Sequence, residues 1–542
     1  MNPAPISRVL LALAMLLSGL PAASNPSLHA ADYFLTIGGG YNPSGNQASL
    51  EANVVFFQQI LAEKRHPVRE HEIFFADGSD AAADLQVLVK QPVKEKQPAT
   101  DLLAAVHRRR DAEQVQYRNH QVPNVTGPLD PELIRASLEK FSAEVRPGDR
   151  VIVYVTAHGS EGVRGNSHNT TIDCWNEKSI TARQFTGWLK KLPSDVPVIM
   201  VMAQCYCGGF GHTIFENLET SAGLSPQLRV GFFAQQHNLP AAGCRPDIDN
   251  DAEFSSYFWG AIAGRSRVGA PIRDCDLDQD GAISFAEAYA YAVAASPTID
   301  IPMRTTDVLL RTYSRTVTDE PAADQSTNSD KSDESNPASA DKKPTPANSA
   351  PKQPSPELMT VSGPLQAFAE MGRISNRRIV TQLARELGLT LQEDVGAVRA
   401  AHEQHRKRKP SNRAGSGRRT GSGRREFLAQ IQEKWPELGD GRKWLESPLL
   451  RPENQQMLFE ELTQLPSWKT FDQRRIQQQQ SLQADEDHEL RDVKFRRLTS
   501  TLEIIVLEKN LPQVASPEIV MRYRQMVAVE DSSLLPTGKG AR

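Results

Sequence analysis

Three nearly unbroken apolar runs, Arg150 to Thr156, Val196 to Ala203 and Arg229 to Ala234, constrain the fold more than any other feature of this chain. Continuous rather than alternating hydrophobicity suits strands buried on both faces, as in a parallel sheet covered by helices on each side. Upstream, Tyr33 to Ile37 reads as a further strand, Gly38 to Gly40 as a glycine turn, and Ser49 to Leu61 as a helix by its apolar spacing. A helix over Ala182 to Leu192 separates two of the apolar runs. Strands alternating with helices predict an α/β unit over residues 32–318, with a mostly parallel sheet flanked by helices.

The 542 residues exceed what one compact core holds, and the composition changes accordingly along the chain. At the start, Arg8 precedes the apolar run Val9 to Leu17, and the small residues Ala22, Ala23 and Ser24 follow. Residues 1–31 therefore read as an export signal with a short leader. The run is shorter than the roughly 20 residues that span a bilayer, so the mature chain is expected outside the cytoplasm, periplasmic or extracellular, without a membrane span. Residues 319–358 are Ser, Asp, Asn, Lys, Ala and Pro with almost no large apolar side chain, and predict a disordered linker. Beyond it, 359–542 reads as a charged, mainly helical region, with helical patterning over Leu365 to His405 and Arg425 to Ala528. Between these, residues 405–425 carry Arg and Lys among Gly and Ser, which predicts a flexible basic loop. It serves either as a solvated linker or as a dock for an acidic polymer or anionic surface. A formal net charge of −4 gives no global attraction to nucleic acid, and no nucleic-acid partner is expected.

The chain has five cysteines, Cys174, Cys205, Cys207, Cys244 and Cys275. An odd number in an oxidising compartment leaves at least one thiol unpaired. Acyl transfer by cysteine needs a thiol, an imidazole to take and return its proton, and donors for the developing oxyanion. Two strand ends offer these groups. The run Arg150 to Thr156 leads into Ala157-His158-Gly159-Ser160, and the run Val196 to Ala203 into Gln204-Cys205-Tyr206-Cys207-Gly208-Gly209. Both lie where the carboxyl ends of parallel strands gather reactive groups. Glycine close behind each residue lets backbone N–H groups approach an oxyanion, and Gly159 and the Cys205 amide are the natural donors. Cys207 is a competing nucleophile, a partner for Cys205 in a redox pair, or a disulfide partner of Cys174 or Cys244. His168, His212 and His237 read as surface or supporting residues.

An apolar strand ending in His-Gly, followed by one ending in Gln-Cys-x-x-Gly, resembles the caspase, metacaspase and legumain superfamily of cysteine peptidases. Cys205 lies 47 positions after His158, close to the roughly 50 of caspases. The resemblance covers Asp32 to about Ala295. It implies a caspase-hemoglobinase fold with Cys205 as nucleophile, His158 as general base and acid, and Gly159 in the oxyanion hole. The pattern departs at two points. The glutamine directly precedes the cysteine here, and the glycine comes one position later than in caspases. Ala203 also stands where metacaspases and legumain carry an acidic residue, so their cleavage-site preferences do not transfer.

Asp276-Leu277-Asp278-Gln279-Asp280-Gly281-Ala282-Ile283-Ser284-Phe285-Ala286-Glu287 matches the twelve-residue EF-hand loop. Asp276, Asp278, Asp280, Ser284 and Glu287 would supply side-chain oxygens to Ca2+, and Ala282 its carbonyl. Pro271 argues against an entering helix, whereas Phe285 to Ala294 makes a good exiting one. This predicts a single structural calcium site and no organic cofactor. Together these features predict an exported cysteine endopeptidase acting on a protein or peptide substrate. A transpeptidase or amidase using the same dyad, and a catalytically silent calcium-binding interaction protein, are the alternatives.

Overall fold

The computed structural model describes residues 31–317 and 358–534, apart from 65, 67, 91–96, 109–112, 164, 245, 248–250, 409–415 and 442. The expected leader, but for residue 31, and the expected linker, but for residue 358, lie outside the described residues. The strands are β1 (Asp32–Gly39), β2 (Val68–Phe75), β3 (Leu85–Lys90), β4 (Glu113–Arg118), β5 (Arg150–Ala157), β6 (Thr171–Cys174), β7 (Lys178–Thr181), β8 (Val198–Met202), β9 (Arg229–Phe233) and β10 (Met303–Arg304). Six of them form one sheet in the order β10-β9-β8-β5-β1-β2, parallel throughout except for β10, which runs antiparallel to β9. β3 with β4 and β6 with β7 make two small antiparallel ribbons.

The expected α/β architecture is therefore present, with the apolar runs at the sheet centre. Every residue of β8 and β9 is buried, as are all but the first of β5, which is why these strands read as continuous rather than alternating. The helix Ala48–Glu63 connects β1 to β2 and buries Val54, Phe57 and Ile60. The helix expected to reach Leu192 spans Ala182–Leu189. Thr181 and Gln184 close a capping box at its start, and Pro193 follows four residues beyond its end.

The region beyond residue 358 is mainly helical, as expected, and its longest helix runs Trp468–Val514. Its apolar side chains do not form a separate core. Leu365, Ile379, Leu383, Leu498, Leu502 and Ile505 pack in one cluster with the sheet and with the helices Phe285–Ala295 and Thr305–Tyr313. A smaller cluster joins the helix Pro98–His107 to Phe427, Ile431, Trp444 and Leu462. The expected basic loop 405–425 is corrected in part: the helix Val395–Lys407 covers its start and the helix Ser416–Lys434 its second half. Gly and Ser are weak helix formers, but Phe427 and Ile431 are fully buried in the same helix, and tertiary packing overrides propensity. No helix among the described residues is long and apolar enough to cross a membrane.

Candidate active site

The parallel register of β5 on β8 pairs Val151 with Val198 and continues to Val155 with Met202. Carried past the strand ends, the same offset sets His158 level with Cys205. A second contact shows how close the two loops come. A Cβ on Gly159 would run into the Cys205 carbonyl oxygen and lie 2.7 Å from that of Thr171, so only glycine fits there. The amides of Gly159 and Cys205 donate to no acceptor among the described residues.

His158 is anchored from its far side. Its Nε2 lies 2.8 Å from the Gly45 carbonyl oxygen and 2.9 Å from Gln47 Oε1, and its ring packs edge-on against Tyr41. A carbonyl oxygen only accepts, so Nε2 carries the proton and the lone pair resides on Nδ1. Burial lowers the pKa of the imidazole, opposed by the Gly45 carbonyl and by the charge of Asp173. Asp173 is tied to the same strand end: its N–H donates to the His158 carbonyl, and its carboxylate accepts from Ser160 and Thr171. The imidazole makes no direct hydrogen bond to the Cys205 thiol.

Cys205 Sγ accepts the Ala241 N–H at 3.3 Å and lies 3.8 Å from the Ala241 carbonyl oxygen. Burial raises the thiol above its ordinary pKa. The loop carrying Ala241 is fixed from behind by two buried groups. Asp300 accepts the Ala242 N–H at 2.7 Å, and Gln235 joins Pro240 to Ile299 and Ile301. Burial raises the Asp300 carboxyl to about 6, and its second oxygen has no partner. Behind Asp300 stands Arg497, wholly buried in the long C-terminal helix. Its guanidinium donates to the carbonyls of Val293, Ser296, Thr298 and Asp300 at 2.7–2.9 Å. Hydrogen bonds joined by short covalent segments at Asp300 and Ala241–Ala242 thus link the C-terminal region to the thiol.

The two motifs expected to meet do share one sheet edge, and Cys244 comes to the same edge, its Sγ 3.9 Å from the Ala157 carbonyl oxygen. Cys207 is fully buried, hydrogen-bonded to Gln235, and pushed far up in pKa by burial. All five cysteines are free thiols, so the pairing of Cys207 with Cys174 or Cys244 is not seen. His168, His212 and His237 form a stack behind the Cys207–Gly209 turn, with ring centroids 3.7 and 4.2 Å apart. Burial lowers His168 to about 4 and His212 to about 3. Gln47, Asp173, Gln235, Ala241, Asp300 and Arg497 carry no motif, and sequence reasoning missed them.

The acidic loop folds into a compact turn before the helix Phe285–Ala295. Ligand oxygens of Asp276, Asp278 and Glu287 lie within 4.8 Å of one another. Asp280 belongs to the same loop but not to that group of carboxylates, whereas Ser284 Oγ lies 2.9 Å from Glu287 Oε2. Gly281 takes φ +90°, which its lack of a Cβ permits. Asp276 Oδ2 accepts the Gly281 N–H, while Asp276 Oδ1 is buried with no partner. Glu287 binds the amides of Leu277 and Ser284 and caps the helix with Ser284. A hard, all-oxygen donor set with one orphaned buried carboxylate oxygen fits calcium. A cleft of ≈ 560 Å³ opens beside this loop, bordered by Asp278, Glu287, Arg373, Tyr523 and Asp531.

No family model matches the chain, and no curated protein matches it. Among solved structures, protein GSU0716 from Geobacter sulfurreducens aligns over 51% of this chain and 92% of its own, at 10% identity and a TM-score of 0.28. A likeness of that size carries no argument about fold or function.

Proposed function

We propose that the protein is a cysteine endopeptidase of the caspase and legumain type, exported and acting on protein or peptide substrates. The observation that carries this reading is the alignment of His158 with Cys205 across β5 and β8, with Nε2 held by the Gly45 carbonyl and Nδ1 left as the basic nitrogen. Cys205 Sγ attacks the scissile carbonyl carbon while its proton passes to His158 Nδ1. The negative oxygen of the tetrahedral intermediate is received by the amides of Gly159 and Cys205. Collapse breaks the C–N bond, the leaving amine takes the proton from His158, and a thioester remains. Water then attacks the thioester with His158 as base, releasing the acid and restoring the thiol. Asp276, Asp278 and Glu287, joined by the other oxygens of their loop, would hold one calcium ion. Bound there, it would stiffen the turn entering the helix Phe285–Ala295 and take no part in the chemistry.

The test is a peptidyl acyloxymethyl ketone probe, with the site of labelling mapped by mass spectrometry. Labelling of Cys205 that is lost in His158→Ala is expected. An inert protein, or labelling that falls on Cys207 or Cys244 instead, would sink the assignment.

A further inference from the structure

Away from the dyad, a cleft of ≈ 420 Å³ is lined by Arg108, Arg424, Arg474 and Arg475, with Phe471 and Gln478 on its walls. It joins segments from both sides of the linker: Arg108 ends the helix Pro98–His107, Arg424 belongs to the helix Ser416–Lys434, and the other two arginines belong to the helix Trp468–Val514. Among the described residues, the lining holds no carboxylate. Arg475 is tied to Asp472 at 2.7 Å, outside that lining. Arg424 donates one N–H to the Val106 carbonyl, but its Nε is buried and has no acceptor. Arg108 enters no described ion pair and holds a left-handed backbone, φ 56°, which a non-glycine residue adopts at a cost.

The guanidinium groups of Arg108 and Arg424 stand close enough to repel each other, and a buried donor without an acceptor is costly. A multiply charged anion would relieve both. Guanidinium forks match tetrahedral oxyanions, and they do so in pairs. The volume lies in the range of small-molecule sites rather than of a single ion. The chain as a whole is acidic at −4, so the cleft is a local concentration of positive charge. Burial and the neighbouring charges of Arg108 and Arg425 hold the Arg424 guanidinium below its ordinary pKa, as expected where a counter-anion is wanted.

We propose that this cleft binds an oligophosphate, a chain of two or three phosphoryl groups, free or as the head of a small molecule. The site stands independently of the peptidase assignment. Bound there, the ligand would clamp the helix Pro98–His107 to the C-terminal helices on the far side of the linker.

Titration calorimetry of the full chain, dialysed against a chelator and then freed of it, tests this with sodium tripolyphosphate. Arms with sodium sulfate at equal ionic strength and with phosphatidylglycerol vesicles distinguish the source of the anion. Saturable 1:1 binding of tripolyphosphate is expected, weakened about tenfold or more in Arg108→Gln and largely kept in Arg108→Lys, with melting temperatures unchanged. Arg424→Gln should weaken it further. Absence of saturable binding overturns the proposal, as does equal binding of sulfate or undiminished binding by Arg108→Gln. Attachment to vesicles without binding of tripolyphosphate would transfer the cleft to a lipid surface and overturn it too.

Discussion

At the scale of single residues, the environments of His158 and Cys205 specify how the proposed reaction would begin. Burial lowers His158 below its ordinary 6.5 and raises Cys205 above its ordinary 9.0. Both shifts disfavour charge, so the resting pair is a neutral imidazole beside a neutral thiol rather than a preformed ion pair. Two consequences follow for pH. The base form of His158 persists as pH falls through 6.5, so the acid limb of kcat/KM is expected below that value. Alkylation of Cys205 by iodoacetamide should climb steadily toward alkaline pH, and a flat, fast plateau between pH 5 and 7 would contradict the neutral pair. Cys205→Ala should lower hydrolysis by about 10³-fold or more with an unchanged melting temperature. Cys207→Ala should retain the thiol reaction and instead cost about 1–2 kcal/mol of stability, because its sulfur is wholly buried among Gln235 contacts. Loss of activity in Cys207→Ala with stability intact would reverse the two roles.

At the scale of elements, the supports of the site are what the sequence conceals. β5, β8 and β9 were legible because burial on both faces writes itself as an unbroken apolar run, and the glycines after His158 and Cys205 marked where the strands end. Gln47, Ala241 and Arg497 were not legible, because each acts through a contact made between loops or helices far apart in the chain, and no local period encodes such a contact. β10 is two residues long and paired antiparallel, too short to leave a pattern. Arg497 makes the point testable. Its charge rests on carbonyls at the end of the helix Phe285–Ala295 and in the loop to Asp300, where the helix dipole favours a cation. Arg497→Met would orphan those carbonyls and should cost about 3 kcal/mol. Arg497→Lys should keep most of the stability yet loosen the Asp300 and Ala241 loop. The expected signature of Arg497→Lys is a slower Cys205 alkylation rate and a fall in kcat larger than any rise in KM. Equal alkylation by Arg497→Lys and the wild type would confine Arg497 to a structural role. The acidic loop gives a parallel case. Calcium should raise the melting temperature by mass action and a chelator should reverse it. Glu287→Gln should abolish that response and cost about 1–3 kcal/mol of apo stability, since its single amide oxygen can accept from Ser284 or from Leu277 but not from both.

At the scale of the whole molecule, the region after the linker is structural material for the sheet rather than an appendage. Glu530 is completely buried between Arg304 and Arg373 and also accepts from Thr306, so one carboxylate from the last helix answers two cations from elsewhere in the core. Arg150, at the start of a central strand, reaches Ser532 and Ser533, and Ser284 pairs with Ser533 beside the calcium-type loop. Asn510 binds the carbonyls of Arg315 and Met359, closing the two ends of the linker onto the long helix. A shared apolar cluster and buried ion pairs of this kind hold without a covalent join, because none of these contacts involves residues 319–357. Cleavage confined to residues 319–357 should therefore give two fragments that elute together in native size-exclusion chromatography and separate only in denaturant. Activity toward peptides should survive the cut. A chain ending at residue 317 should instead expose the faces that Leu498, Leu502 and Ile505 cover and be insoluble or melt far lower. Glu530→Gln in the nicked protein supplies the sharper measurement. Weakening the answer to Arg304 and Arg373 should cost about 3–5 kcal/mol, enough to let the fragments part at concentrations where the unsubstituted pair stays together. Fragments that separate without that substitution would show that the helical region is only tethered, and the route from Arg497 to Cys205 would lose its rigid starting point.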